Sequence, residues 1–353
     1  MTTRRSVLAA GAALGAVGVS AQQQSDWELK SADSAGLRAA LVEETLRAGE
    51  SVPGLRALLV ARHGALVAER YYGGTSAGSL RFINSATKSV CSLLVGLALS
   101  EGRLKSLDDT VAQLIPEAIA EAPKSPAASI TLRQILSGRT GFDRDWRTWP
   151  EIEKAKPMVP YVLSHPGEPT ASPTGWSYND AMIALIAPIL RRAQGVDLAE
   201  LATRQLFRPM NIERYEWDRD EDGNCWSNRG LVLRPRDLLK FAVMMIDRGR
   251  WRGAQVVPES WVAESLTTAG PSTWRTGPLT DVGYGLLWFT GRLHGHRVAW
   301  AWGFASQFCL LAPELGLAVA TAATTREWLK TYDPRTQNNA VMTLVGRMIE
   351  AAA

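Results

Sequence analysis

Apolar and polar positions follow two different periods along the first hundred residues. Residues 31–50 carry leucines at helical spacing, which predicts an amphipathic helix. Residues 55–61 and 65–72 are strand-like runs, and the His-Gly pair between them is typical of a hairpin turn. A further helical pattern begins near residue 85, and it is apolar enough to predict a buried helix.

The rest of the chain is helical first and strand-like afterwards. Residues 102–229 are helix-like and rich in loops, and residues 231–248 predict a further helix. Strand-like runs then return before a closing helix at residues 337–349. These runs cover residues 283–289, 297–303, 307–311 and 317–323.

Strands at both ends and helices between them predict an α+β fold in one domain, residues 22–353. We expect one antiparallel sheet built from about residues 22–100 and 250–353 and flanked by the terminal helices. A mainly helical insertion, about residues 101–249, interrupts the sheet region. A cleft between sheet and insertion is the expected ligand site, because ligands favour such junctions.

Composition narrows the possible functions. The 353 residues are 46% hydrophobic and 21% charged, with a formal charge of +4, as in an ordinary globular protein. The arginines are scattered, so nucleic-acid binding has no support. The three cysteines and four histidines form no metal motif, and no cofactor is expected. Cys91 and Cys309 lie in apolar runs and are expected to be buried. Some of the thirteen tryptophans are candidates for lining a cleft.

The first 21 residues have the pattern of a twin-arginine export signal. Arg4 and Arg5 precede a weakly apolar stretch that ends in small residues at Ala21. The stretch is too short to predict a permanent membrane span. We therefore expect a mature protein that starts near Gln22 and resides in the periplasm or outside the cell. A disordered or membrane-anchored N-terminus is the alternative.

The tetrad Ser85-Ala86-Thr87-Lys88 is the strongest chemical signal in the chain. A serine three residues before a lysine lies about one helical turn away, on the same face. A serine hydroxyl becomes a useful nucleophile when a neighbouring group takes its proton. The tetrad supplies that neighbour, so Ser85 is the predicted nucleophile and Lys88 its predicted partner.

Tyr178 is the candidate for a second proton-transfer group. It lies in Trp176-Ser177-Tyr178-Asn179-Asp180, just before a helical pattern. A tyrosine held beside a lysine can have a depressed pKa, because the cation favours the phenolate. Such a tyrosine can take the proton of Ser85 and pass it to a leaving group. A tyrosine that merely packs and caps a neighbour is the alternative.

Together these segments resemble class C β-lactamases and their esterase and amidase relatives. Six segments keep the family's order over nearly all of the predicted mature chain. They are residues 85–88, 130–141, 178–180, 206–210, 230–251 and 284–288. The Trp-x-Tyr-Asn-Asp form is similar to that of 6-aminohexanoate-dimer-hydrolase-like proteins and carboxylesterases. The resemblance implies a β-lactamase/transpeptidase-like fold and a serine that is acylated.

The chain departs from the family pattern in two places. Asp180 stands where the family usually has Asn, and an ionised Asp cannot donate a hydrogen bond to a substrate carbonyl. We expect that Asp180 can instead pair with Lys88 and keep it protonated. The family's Lys-Thr-Gly motif is replaced by Ala301-Trp302-Gly303, so Trp302 puts an apolar ring where a cation is usual.

The replaced motif also locates the expected oxyanion hole. Backbone amides are independent of side chain, and we expect those of Ser85 and Phe304, beside Gly303, to form it. Arg275-Thr276-Gly277 is a tempting substitute for the missing motif. However, it precedes the expected strand, and the following Pro278 removes a ladder donor.

The expected function is that of a secreted serine hydrolase that acts through an acyl-enzyme on esters or small amides. The expected partner is therefore a small-molecule substrate. A true β-lactamase or a D-amino-acid peptidase of the same fold is one alternative. A catalytically silent binding protein is another, since fold does not fix function.

Overall fold

The computed structural model describes residues 27–144, 149–172, 175–324 and 333–353. The predicted export signal lies outside these residues. In chain order the strands are β1 (Leu55–Arg62), β2 (Ala65–Tyr71), β3 (Arg81–Phe82), β4 (Phe142–Asp143), β5 (Glu168–Pro169), β6 (Glu216–Trp217), β7 (Leu231–Leu233), β8 (Arg250–Trp251), β9 (Ala254–Gln255), β10 (Gly270–Pro271), β11 (Thr280–Tyr284), β12 (Phe289–Leu293), β13 (His296–Gly303), β14 (Gln307–Ala312) and β15 (Leu317–Ala323).

The helices surround and interrupt these strands. In chain order they are α1 (Ala39–Ala48), α2 (Thr87–Ser100), α3 (Val111–Leu114), α4 (Pro116–Glu121), α5 (Leu132–Leu136), α6 (Trp149–Lys154), α7 (Met158–Ser164), α8 (Asp180–Ala184), α9 (Ile186–Gln194), α10 (Leu198–Ala202), α11 (Pro235–Ile246), α12 (Glu259–Leu266) and α13 (Pro334–Ala352). Short 3-10 turns lie at Gly49–Ser51, Asn84–Ala86 and Pro313–Leu315, and a π-helical turn lies at Thr203–Phe207.

One antiparallel sheet joins the two ends of the described chain. Its strand order is β10-β11-β12-β13-β14-β15-β1-β2. The last strand, β15, pairs with the first, β1, in a register that places Val60 opposite Val319. The predicted sheet from both ends of the chain, with mainly helical segments between them, is therefore confirmed.

Both faces of the central strands are covered. Every residue of β14 and β15 is buried, and successive side chains of a strand point to opposite faces. The terminal helices α1 and α13 pack on each other and on the sheet, while α11 packs on β1, β14 and β15. The Sγ atom of Cys309 lies 3.2 Å from the carbonyl oxygen of Leu238 in α11. All three cysteines are buried and unbonded to one another, as expected for Cys91 and Cys309.

Three predicted elements differ from the structure. The helix predicted at 31–50 begins only at Ala39, because a turn precedes it that includes Gly36 at φ +76°. Residues 231–248 are predicted to form one helix, but the segment starts with the buried strand β7, and the helix begins only at Pro235. The single strand predicted at 283–289 is wrong. A turn with Leu287 at φ +62° separates β11 from β12 there.

Candidate active site

The Ser85 hydroxyl lies at the entrance to the most buried helix of the site. Asn84, at φ +48°, starts a 3-10 turn that carries Ser85 into α2. The Thr87 hydroxyl donates to the Asn84 carbonyl oxygen at 2.7 Å and closes this turn. A positive φ is uncommon for any residue except glycine, and asparagine tolerates it better than most. The chain therefore reverses sharply just before the predicted nucleophile.

Lys88 is fixed by three acceptors. Its Nζ donates to Ser85 Oγ at 2.8 Å and to the Asn228 carbonyl oxygen at 2.7 Å, and it lies 2.6 Å from Asp180 Oδ1. The side chain is only 2% exposed. Burial lowers the pKa of Lys88 because it penalises the charged form, and the carboxylate of Asp180 opposes that shift. Asp180 and the Asn228 carbonyl oxygen thus orient the Lys88 amine toward the Ser85 oxygen.

Tyr178 completes the contact with Ser85. The Tyr178 side chain interacts with that of Ser85, and Lys88 Nζ lies 4.9 Å from the centre of the tyrosine ring. The expected depression of the Tyr178 pKa is wrong. Burial raises this pKa well above its usual value, and the charge of Asp180 raises it further. Lys88 lies over the ring face and contacts the carboxylate, so Tyr178 remains a neutral phenol and a proton donor.

In the Tyr-Asn-Asp segment, the side chains of Asn179 and Asp180 have different roles. Asn179 caps α8, since its Oδ1 accepts from the Met182 amide at 3.1 Å, and its Nδ2 donates to the carbonyl oxygens of Phe142 and Pro166. Asp180, the first residue of α8, points to Lys88 instead and is 24% exposed. The expected pairing of Asp180 with Lys88 is therefore confirmed. The expectation that this pairing keeps Lys88 protonated is opposed by burial, which lowers the pKa of Lys88 despite the carboxylate.

The end of β13 lies against the 3-10 turn Asn84–Ala86, called the nucleophile turn below. A side chain at Gly303 would overlap the carbonyl oxygen of Ile83, so only glycine allows this approach. Asn84 Nδ2 donates to the Phe304 carbonyl oxygen at 2.8 Å. The Phe304 side chain is 50% exposed and points away from the core. The backbone segments of Ser85 and Phe304, the two expected oxyanion donors, are thus held side by side.

Asn84 is a site residue that sequence reasoning missed. The available signal was an asparagine directly before the tetrad, a residue type that adopts positive φ more readily than others. Its carboxamide joins the nucleophile turn to the β13–β14 turn, where Ala305 and Ser306 also have positive φ.

An aromatic cluster borders the site, and most of its members were also missed. Trp302 is partly buried, and its ring lies 5.3 Å from that of Trp274 and 5.4 Å from that of Phe289. Trp274 lies 4.4 Å from the ring of Tyr178, and Trp176 lies 5.8 Å from Trp274. The high tryptophan content was the only signal, since these rings come from separate loops and strands.

All seven predicted site residues therefore lie in one region. Ser85, Lys88, Tyr178 and Asp180 are in direct contact, while Gly303 and Phe304 reach them through the nucleophile turn. Trp302 reaches them through Trp274, as the ring distances above show. In the described parts of the chain, no group of three or more His, Cys, Asp or Glu side chains is placed to hold a metal ion.

This arrangement suits acyl transfer. It holds a serine hydroxyl between an amine and a neutral phenol, beside a backbone turn that can offer amide donors to an oxyanion. Arg275 and Gly277 lie outside the strands of the sheet, in the loop between β10 and β11, and do not replace the missing motif.

Comparisons with known proteins identify the family and the fold. A model of the beta-lactamase family matches residues 39–342. A 6-aminohexanoate-dimer hydrolase from Paenarthrobacter ureafaciens is 25% identical over 248 residues, which are 65% of this chain. The match spans 60% of the length of that relative.

Two solved structures are similar to the fold. An octameric penicillin-binding protein homologue from Pyrococcus abyssi has a TM-score of 0.68 at 16% identity, with 88% of this chain and 77% of that chain covered. A D-stereospecific amidohydrolase from Streptomyces sp. has a TM-score of 0.61 at 17% identity, with 82% and 97% covered. The expected β-lactamase/transpeptidase-like fold is confirmed.

Proposed function

Because the chain belongs to the beta-lactamase family, we propose that it is a serine hydrolase that forms an acyl-enzyme at Ser85 with esters or small amides. The observation that carries this proposal is the hydrogen bond of 2.8 Å between Lys88 Nζ and Ser85 Oγ. Lys88 is buried and oriented by Asp180 and by the Asn228 carbonyl oxygen. In the neutral amine, the nitrogen lone pair therefore faces the hydrogen of the Ser85 hydroxyl.

The proton transfers follow from the states of the two groups. In its neutral form Lys88 takes the proton of Ser85 as the serine oxygen attacks the substrate carbonyl carbon. Tyr178, a neutral phenol beside Ser85, gives its proton to the leaving oxygen or nitrogen. The proton on Lys88 then passes to the Tyr178 phenolate, which restores both groups to their neutral forms. In deacylation, neutral Lys88 takes a proton from the attacking water, and Tyr178 gives its proton to Ser85 Oγ as the acid product leaves. A second transfer from Lys88 to Tyr178 resets the site. The backbone amides of Ser85 and Phe304 stabilise the oxyanion in both halves of the reaction.

The charge of the site favours neutral substrates. Ala301 stands at the lysine position of the family's Lys-Thr-Gly motif, so that cation is missing, and the neighbouring Trp302 adds an apolar ring. Asp180 adds negative charge beside Lys88. A carboxylate-bearing β-lactam lacks a charge-assisted bond worth about 1.5–3 kcal/mol, or roughly tenfold to a hundredfold in kcat/KM. Esters and small linear amides need only the oxyanion hole and an apolar wall.

The proposal includes export by the twin-arginine route to the periplasm or the medium. It rests on Arg4, Arg5 and the small residues that end at Ala21. Within the described residues, no helix combines the length and apolarity that a bilayer crossing needs. Sequencing the N-terminus of protein recovered from the periplasm should give a start near Gln22, and an uncleaved N-terminus there contradicts the proposal.

Active-site labelling tests the catalytic proposal directly. A fluorophosphonate should modify Ser85, as mapped by mass spectrometry, and Ser85→Ala should lose about 10³-fold or more of kcat. Ser100→Ala, at the exposed end of α2, is the matched control and should keep full activity. Labelling elsewhere, or an active Ser85→Ala variant, overturns the proposal.

One substrate panel tests the predicted class. It contains p-nitrophenyl esters, short linear amides and a chromogenic cephalosporin, all measured with one preparation. We expect the best ester or amide to exceed the cephalosporin in kcat/KM. The reverse order supports a true β-lactamase instead.

A further inference from the structure

Among the described residues, the most exposed tryptophan ring beside the site has no role in the proposed proton transfers. Trp274 is 37% exposed, although its ring contacts a dense aromatic cluster. It lies 4.4 Å from Tyr178 and 5.3 Å from Trp302, and it stacks at 20° and 5.9 Å with Phe289. A single exposed apolar residue needs no explanation, but this one extends a wall that begins at the reacting hydroxyls.

The loop that carries Trp274 is held in place at both ends. The Trp274 amide donates to Ser272 Oγ at 3.1 Å, and the Ser272 amide donates to the Val282 carbonyl oxygen in β11. At the other end, the Gly277 amide donates to Asn339 Oδ1 in α13 at 2.6 Å. A ring that is fixed before binding loses little conformational entropy when it binds a partner.

The contact between Trp274 and Tyr178 indicates which part of the substrate, acyl group or leaving group, lies beside Trp274. Tyr178 gives its proton to the leaving oxygen or nitrogen, so the leaving group lies next to the Tyr178 hydroxyl during acylation. Since the Trp274 ring contacts the Tyr178 ring, a substituent that continues from the leaving atom passes over Trp274. Trp302 extends the same wall from the end of β13.

We propose that Trp274 is a specificity-determining residue that binds a flat, uncharged ring on the leaving group, so that esters of arylalkyl alcohols are preferred substrates. The inference rests on the proposed acyl-enzyme function. Offset and edge-to-face contacts with neighbouring rings favour a flat aromatic group over a puckered ring of similar size. The charge of Asp180 disfavours an anionic substituent on that ring.

Three acetate esters test this inference with one common acyl-enzyme. They are ethyl acetate, 2-cyclohexylethyl acetate and 2-phenylethyl acetate, whose alcohols are of similar acidity. Because deacylation is shared, kcat/KM reports how each leaving group affects acylation. We expect the order phenylethyl, cyclohexylethyl, ethyl in the unmodified protein. Equal values for the two ring-bearing esters overturn the preference for a flat ring.

The variants then assign the preference to Trp274. In Trp274→Ala, the ratio of kcat/KM for 2-phenylethyl acetate to that for ethyl acetate should fall roughly threefold to tenfold. Trp274→Phe should restore most of the ratio, and Leu29→Ala, an exposed apolar control, should leave it unchanged. A ratio that Trp274→Ala leaves intact overturns the inference alone. Ser85-dependent hydrolysis of small amides but of no ester overturns the inference alone, whereas no Ser85-dependent hydrolysis of any ester or small amide overturns both the inference and the proposed function.

Discussion

At the residue scale, one substitution relative to the family pattern sets the electrostatics of the site. Asp180 lies 2.6 Å from Lys88, and its charge raises the pKa values of both Lys88 and Tyr178. Burial acts in opposite directions on these two groups, since it penalises a cation on Lys88 and an anion on Tyr178. The positive charge of Arg229 lowers the pKa of Lys88 further. Lys88 is thus the group whose deprotonation the pH dependence should report.

Asp180→Asn should move the acidic limb of the pH profile to lower pH. The proposed mechanism needs neutral Lys88, and removal of the carboxylate lowers the pKa of Lys88. A larger fraction of the protein then holds neutral Lys88 at a given acidic pH. The measurement is kcat/KM for one neutral ester as a function of pH. Asp281→Asn, at an exposed carboxylate, is the control and should leave the limb in place. An unmoved or upward-moved limb in Asp180→Asn contradicts the assignment.

Asn84 acts through its neighbours and should behave as a positioning residue. Asn84→Gly accepts the φ of +48° but loses the hydrogen bond to the Phe304 carbonyl oxygen. We expect kcat to fall about tenfold with little change in KM, because an oxyanion donor matters most in the transition state. The melting temperature should stay near that of the unmodified protein. A rise in KM with unchanged kcat contradicts this role.

At the element scale, the helix that presents Lys88 is fixed by more than its apolar contacts. Ser89 Oγ donates to the Leu287 carbonyl oxygen at 2.6 Å, and Ser92 Oγ donates to the Leu286 carbonyl oxygen at 2.7 Å. Both acceptors lie in the β11–β12 turn, where Leu287 has positive φ. The hydroxyls satisfy carbonyl groups that a tight buried turn leaves unpaired, so helix and turn stabilise each other.

Removing either hydroxyl should destabilise the fold. Ser89→Ala and Ser92→Ala each leave a buried carbonyl oxygen without its donor, which costs about 1–3 kcal/mol in the free energy of unfolding. Ser100→Ala on the exposed end of the same helix should cost less than about 0.5 kcal/mol. Urea unfolding of the three variants makes the comparison. Equal losses at all three positions would show that the buried bonds carry no special weight.

The same turn shows where sequence patterns end. The apolar run at residues 283–289 predicts one strand, because periodicity does not show that Leu287 adopts positive φ. Conversely, β1, β2, β13, β14 and β15 were predicted nearly to the residue, since buried strands and hairpin glycines leave a strong local pattern.

At the scale of the whole molecule, the sequence predicted the sheet, the residues of the proton-transfer site and Trp302, but not the rest of the aromatic wall. Ser85 and Lys88 are neighbours in the chain, and Tyr178 with Asp180 forms one recognisable segment. Trp274 joins them only because the β10–β11 loop, held by α13, reaches the cleft. No local pattern specifies such a long-range contact. The raised pKa of Tyr178 was missed for the same reason, because it depends on burial and on where Lys88 points.

The proton-transfer site also ties the two predicted regions of the chain together. Ser85 and Lys88 come from the sheet region, whereas Tyr178 and Asp180 come from the mainly helical insertion. The two ends of the described chain are joined as well. The Arg38 amide donates to the Ala351 carbonyl oxygen at 2.9 Å, and the buried hydrophobic side chains form one continuous cluster. A fold of this kind is expected to unfold as one cooperative unit.

Urea unfolding, monitored by two probes, tests whether the protein unfolds as one cooperative unit. Far-UV circular dichroism reports all elements, while fluorophosphonate labelling of Ser85 requires both regions in place. We expect coincident midpoints for the two probes. Ile349→Val, which removes a methyl group from the buried face of α13, should lower the stability by about 0.5–1.5 kcal/mol in both probes equally. Arg335→Lys, at the exposed start of the same helix, should change neither. If labelling is lost at lower urea than the dichroism signal, or if Ile349→Val shifts one probe alone, the insertion unfolds as a separate domain. In that case the sheet and its terminal helices remain folded after the contact between Lys88 and Asp180 is broken.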